Sequence, residues 1–394
     1  MGGVPVTADV EGVAADGRGL DSGYLADLLR AVEKSNEPSW MAVLRYASRH
    51  KLRIVLASAL LSEGHKISPG LEYEVSFWRR QVAAYDETVE TVRAAAPGMR
   101  RMKGGEIGAL YPADWVRDSS DVDLVAESPD EVWAAARQLR ENGWSPDSLA
   151  VQRVDGRLDV ALNMVSESAD EFLLDHQAVE MVSAEITGDA WRVRPASRVP
   201  GLRPTGPARQ VLALLEEGFE RSWLARDLLD ASLLLMEIGA HDVARLLDEV
   251  ALLGLGVEWD SLARSLRALG LVDDELCPVD RAVRWRSAAR RAAYGASLAS
   301  RPAGVAALGL QRWQARRAGP LGNAVERRAL QRVRARAVLE AGLPLWGVRT
   351  GPPQAADDGL RLEQRADGLY AATPVGTFLL VYVKYLDPDT PVSG

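Results

Sequence analysis

Asp121 and Asp123, in the stretch SDVDLVA, are the residues of this 394-residue chain whose types and spacing best suit chemistry. The stretch alternates polar and apolar, which predicts a strand. Side chains two apart on a strand point the same way. Val122 and Leu124 then face the core, and both carboxylates project from the other face. Two parallel carboxylates repel each other unless a cation sits between them. A hard divalent ion such as Mg²⁺ (or Mn²⁺) suits that arrangement and completes its shell with phosphate oxygens and water. Asp159, in RLDVALN, lies between Leu158 and Val160 and also faces away from the core. If its strand pairs beside 121–125, it joins the first two. Three carboxylates around one or two such ions is the arrangement for in-line phosphoryl transfer. One metal activates the attacking oxygen, and the other holds a triphosphate and the leaving pyrophosphate.

Upstream, Gly104 and Gly105 end one element and begin the next. Missing side chains let backbone amides approach a phosphate, and a helix N-terminus adds positive potential. Lys103 stands beside them, in a chain with 42 Arg and 5 Lys. Arg117, four residues before Asp121, is a second candidate phosphate contact.

The elements that must position these residues are legible in outline. From Gly23 to about Ala95 the periodicity is helical. Val75, Trp78, Val82, Tyr85, Val89 and Val92 alternate steps of three and four, the seam of one long helix. At Pro97 the pattern changes. MRRMKG reads as a short strand into a Gly-Gly turn, and EIGALY as a short helix stopped by Pro112. In SPDEVWAAARQLRENGW, Ser128 caps a helix, Pro129 takes its first position and Gly143 ends it. LAVQRVDGRLDVALNMV predicts two strands around Asp155-Gly156. Residues 178–197 predict a second hairpin around Gly188-Asp189. Helices follow at about 208–219, 222–238, 241–253 and 259–268, with Arg226 and Asp230 spaced to pair on one of them. The tail predicts two or three strands turning at Asp367-Gly368 and near Gly376. The expected class is α+β: a small mixed sheet flanked by N-terminal helices and a large C-terminal helical region, with a short β-like tail. The expected divisions are a disordered 1–21, helices at 22–97, the mixed core at 98–200, a helical domain at 204–342 and the tail at 343–394.

KGGEIGALYPADWVRDSSDVDLV resembles an uncharacterised nucleotidyltransferase family, widespread in bacteria, of the polymerase-β-type nucleotidyltransferase superfamily. Its members carry a Lys-Gly, then Leu-Tyr-Pro, an Arg, and an Asp-x-Asp followed by apolar residues. The matching positions here are Lys103-Gly104, Leu110-Tyr111-Pro112, Arg117 and Asp121-Val122-Asp123-Leu124-Val125. The resemblance covers about 24–270. It implies Mg²⁺-dependent transfer of a nucleoside monophosphate from an NTP such as ATP, with release of pyrophosphate. Asp121 and Asp123 would hold the metals, Asp159 would complete the catalytic one, and Gly104 and Gly105 would grip the triphosphate. The acceptor it implies is a hydroxyl on a small molecule, peptide or protein, and such genes often lie in bacterial peptide natural-product clusters. The chain departs from the pattern after Arg117, where Asp-Ser-Ser replaces a frequent Pro-Met-Gly.

Composition bounds the alternatives. One cysteine, Cys277, excludes an intramolecular disulfide and fits a reducing cytoplasm. No apolar run approaches the roughly 20 residues of a membrane helix. Net charge is −8, yet residues 281–336 hold 14 Arg against Glu326 alone, about +13 in one segment. Such asymmetry suits an RNA held beside the same site, or an acidic face of the chain itself. The remaining alternative is a non-catalytic relative that binds a nucleotide or partner.

Overall fold

The computed structural model describes residues 20–167, 174, 176–183, 199, 202, 205–278, 280–299, 335–340, 342, 344–353 and 359–381. Its compact units do not follow chain order. One takes the described residues within Met1–Arg79, Glu106–Asp118 and Arg203–Ser287; the other takes those within Arg80–Gly105, Ser119–Leu202 and Ala288–Gly394.

The first unit is helical. It contains α1 (Ser22–Glu33), α2 (Trp40–Arg49), α3 (Arg53–Ser62) and the first part of α4 (Pro69–Ala95). It also contains α7 (Gly206–Glu220), α8 (Ala225–Ile238), α9 (Ala240–Leu253) and α10 (Gly256–Ala268). Asp21 caps α1, its side chain accepting the Tyr24 N–H at 2.7 Å. Gly254, at φ +80°, ends α9 in the left-handed conformation that glycine adopts without strain. α8 is buried nearly all round: Leu228, Leu229, Leu234 and Leu235 are covered, and so are Asp227 and Asp230.

The second unit is built on one nine-stranded mixed sheet. Its strands are β1 (Arg100–Met102), β2 (Asp121–Val125), β3 (Ser145–Val154), β4 (Arg157–Glu167) and β5 (His176–Val182). The tail adds β6 (Leu345–Gly351), β7 (Arg361–Arg365), β8 (Gly368–Thr373) and β9 (Gly376–Val381). The spatial order is β1-β2-β5-β4-β3-β6-β9-β8-β7. Only β2 and β5 pair in parallel; every other neighbouring pair is antiparallel. The short β-like tail is therefore part of the core sheet, its strands continuing outward from β3.

Local sequence explains these elements. The β3–β4 hairpin turns at Asp155 and Gly156 with φ +50° and +79°, as a two-residue turn of this type requires. α6 (Pro129–Glu141) starts at Ser128, whose hydroxyl accepts the Glu131 N–H at 3.4 Å. It buries Val132, Trp133, Ala136 and Leu139 in one core with Val122, Leu124, Val160, Leu162, Met164, Val179 and Met181. The later half of α4 adds Tyr85, Val89 and Val92, and the tail adds Leu345, Phe378 and Leu380. α11 (Arg281–Ala299) and α12 (Ala335–Glu340) are the described parts of the Arg-rich region; the remainder of 281–336, and the Gly188-Asp189 turn, fall outside the described residues. Among the described residues no helix is long and apolar enough to cross a membrane.

Gly347 is where the tail joins the core. It pairs with Leu149 on β3 and Leu380 on β9, and an added Cβ would meet the Phe378 Cβ at 2.8 Å and the Leu149 Cβ at 3.1 Å. Gly347→Val is therefore expected to cost about 1–3 kcal/mol through overpacking, read as a lower midpoint in urea unfolding.

Candidate active site

β2 presents Asp121 and Asp123 on one face and buries Val122 and Leu124 on the other, as its alternation requires. Asp121 is exposed and Asp123 partly so. Ahead of them, β1 ends at Met102, the register partner of Asp123. Lys103 and Gly104 then turn sharply into α5 (Gly104–Gly108), with φ +52° and +24°. The turn thus sets Lys103 at the strand end beside Asp123. Gly104 is needed for its backbone angle. Gly105 is needed for space, since its missing side chain is replaced by a guanidinium: a Cβ there would sit 2.2 Å from Arg101 Cζ. Arg101, nearly buried, is itself ion-paired with Asp86 on α4. The gap at Gly105 is thus occupied by the chain's own cation.

The third carboxylate is not where the sequence places it. Asp159 lies on β4, and β5 intervenes between β4 and β2. Across the parallel pair, Asp123 is in register with Glu180, and Glu180 is in register with Asn163 on β4. Register partners on neighbouring strands share a face. Glu180 is therefore beside Asp123 on the carboxylate face, about 4.8 Å away at the backbone. Asp159 shares the face but is four residues along β4 from Asn163. That puts it about 13 Å along the strands and about 10 Å across from Asp123, beyond any shared ligand. It is also only 3% exposed. Its partner Gln152 donates to the Gly342 carbonyl at 2.9 Å, so the chain at Gly342 lies over that end of the face. Glu180 carries the signal that singled out Asp159: an acid between apolar residues, Val179 and Met181, on an alternating strand. The alternation alone does not rank the two acids; the strand order, with β5 between β2 and β4, does.

Arg117 belongs to the helical unit, where its guanidinium is buried against Asp230 on α8. Nε donates to Oδ1 at 3.1 Å and Nη2 to Oδ2 at 2.7 Å, with side-chain exposures of 7% and 1%. Tyr111 donates to the same carboxylate at 2.6 Å. Burial alone would lower the Arg117 pKa; Asp230 more than offsets this and raises it. Asp230 thus takes Arg117, and Arg226, the other spacing-based partner, donates to the Asp118 carbonyl at 3.4 Å. Burial first, and the Asp230 charge second, push the Tyr111 phenol well above its ordinary value. Such an acid stabilises the fold below its unfolded pKa, about 10, and that stability is lost as pH rises toward the folded value. Melting temperature is expected to fall above about pH 10, and less steeply in Tyr111→Phe.

A divalent cation fits this face in kind. Asp121, Asp123 and Glu180 are all-oxygen donors on adjacent strands, and Asp121 and Glu180 are exposed to solvent. They are not drawn together: among the described residues no three His, Cys, Asp or Glu side chains converge tightly enough to hold a metal. No family model matches this chain, and no curated protein matches it.

Proposed function

We propose that this chain is a metal-dependent nucleotidyltransferase of polymerase-β type, moving an NMP from an NTP to a hydroxyl or similar acceptor on a small molecule, peptide or protein, with loss of pyrophosphate. The observation that carries the reading is the register of Asp123 with Glu180, which sets a third carboxylate beside the Asp-x-Asp pair on one face. A strand, a tight Lys103-Gly104 turn and a short helix precede that pair.

Asp121, Asp123 and Glu180 would ligate Mg²⁺. When bound, Mg²⁺ would lower the pKa of the acceptor hydroxyl and neutralise the triphosphate. Lys103 places a cation at the end of β1, within reach of phosphate oxygens held over the carboxylates. Gly104 brings backbone rather than a side chain to that turn, with the Ser119 hydroxyl 3.5 Å from where its Cβ would be. Arg117 acts in the helical unit as the buried partner of Asp230.

A thermal-shift series with the four NTPs and Mg²⁺ or Mn²⁺ tests this. Wild type is expected to be stabilised by one or more NTPs only with metal, and Asp121→Asn to lose that gain; no shift with any NTP refutes the reading. An RNA acceptor is a second reading, favoured by Trp285 on α11, which is 77% exposed between Arg284 and Arg286. These arginines also reach Asp260 at 3.5 Å and Asp248 at 3.1 Å. RNA binding that weakens steeply with salt, and weakens further in Trp285→Ala, is the expected mark of this acceptor.

A further inference from the structure

β2 and β5 are the parallel pair that carries the three carboxylates, and no turn joins them: α6, β3 and β4 intervene. A hairpin's turn fixes its register, but this pair has only the hydrophobic pattern and its contacts with other elements to do so. The pattern forbids a slip by one residue, which would turn Glu180 into the core. It does not forbid a slip by two, which keeps every face and moves Glu180 out of line with Asp123.

α4 supplies such a contact. The Tyr85 hydroxyl, on a fully buried side chain, donates to the Ser120 carbonyl at 2.6 Å and itself accepts the Ala178 N–H at 3.5 Å. Ser120 directly precedes Asp121, and Ala178 is the register partner of Asp121. One hydroxyl therefore touches both strands at the level where the carboxylate pair begins. One helical turn earlier Gln81, also fully buried, accepts the Leu174 N–H at 3.0 Å on the approach to β5. A phenol hydroxyl and a carboxamide under a sheet cost free energy that Phe and Leu would not, so packing alone does not account for them. Burial pushes the Tyr85 hydroxyl up to about 12, with the Asp121 charge adding to the rise, so it stays a donor at ordinary pH.

We propose that Tyr85 is a positioning residue that sets the register of β2 against β5 and so aligns Glu180 with Asp123. The register part stands on the sheet alone; its consequence for metal binding rests on the nucleotidyltransferase reading. Tyr85→Phe keeps the ring and removes only the hydroxyl. Tyr370→Phe is the control, since it removes a comparable hydrogen bond, 2.6 Å to Asp367, at the β7–β8 turn. Two quantities are measured on the full chain: hydrogen–deuterium exchange of the β2 and β5 ladder amides against those of the β3–β4 hairpin, and Mn²⁺ affinity from the free-ion electron paramagnetic resonance signal. In Tyr85→Phe, exchange is expected to quicken about tenfold in β2 and β5 but not in β3–β4, with Mn²⁺ binding weakened about five- to tenfold. Tyr370→Phe is expected to change neither. Wild-type exchange in β2 and β5 overturns the proposal, as does a uniform rise in all strands with Mn²⁺ affinity unchanged. If wild type binds no Mn²⁺, the nucleotidyltransferase reading fails, and the exchange comparison alone decides the register role.

Discussion

Asp230→Ala is expected to destabilise the protein by about 3–5 kcal/mol, because it takes the bidentate carboxylate from the buried Arg117 guanidinium. Two hydrogen bonds from Arg117 and one from Tyr111 end on this carboxylate, which is 1% exposed. Two costs add: a desolvated cation loses its partner, and a buried phenol loses its acceptor. Urea unfolding followed by circular dichroism reads the change as a lower midpoint at unchanged slope. Tyr111→Phe, which leaves the ion pair in place, is expected to cost only about 1 kcal/mol. A double variant, Arg117→Met with Asp230→Leu, is expected to recover much of the loss, since apolar replacement of both partners removes the desolvation penalty with the attraction. An Asp230→Ala protein as stable as wild type would show that solvent reaches the Arg117 head group.

On the proposed function, Asp121→Asn is expected to have the opposite profile: little effect on the fold and a large one on nucleotidyl transfer. Asp121 is exposed, so its replacement is expected to shift stability by no more than about 0.5 kcal/mol. Losing one anionic ligand from a divalent site removes several kcal/mol of transition-state stabilisation. About 4 kcal/mol corresponds to about 10³-fold in rate. Pyrophosphate release in the presence of NTP, metal and acceptor reads the loss, with the unfolding midpoint as its control. Unfolding of Asp121→Asn under conditions where wild type is folded would assign the residue to structure.

Much of the architecture is legible in short-range chemistry. The Asp155-Gly156 turn, the Ser128 cap with Pro129 behind it, the seam along α4 and the alternation of 121–125 are set by residues within a few positions of one another. The strand order is not. That β5 enters between β2 and β4 depends on the pairing of β2 with β5, whose register partners Asp121 and Ala178 are 57 residues apart, and no local pattern encodes it. Asp159 shows the consequence: local alternation fixes the face it shares with Asp123, while the strand between them is set at long range. Glu180 showed the same alternating signature and lacked only a reason to be preferred. Arg117 was read by its distance along the chain from Asp121, whereas its structural partner, Asp230, lies 113 residues away on α8. The space at Gly105 was read as room for a phosphate, and Arg101, four residues earlier, fills it.

The most direct test of the central claim is metal-dependent stabilisation by NTP in Glu180→Gln compared with Asp159→Asn. If Glu180 completes the site, Glu180→Gln abolishes the stabilisation and Asp159→Asn retains it, whatever either does to the melting temperature of the free protein. Stabilisation that survives Glu180→Gln and disappears in Asp159→Asn would contradict the register on which the site is built.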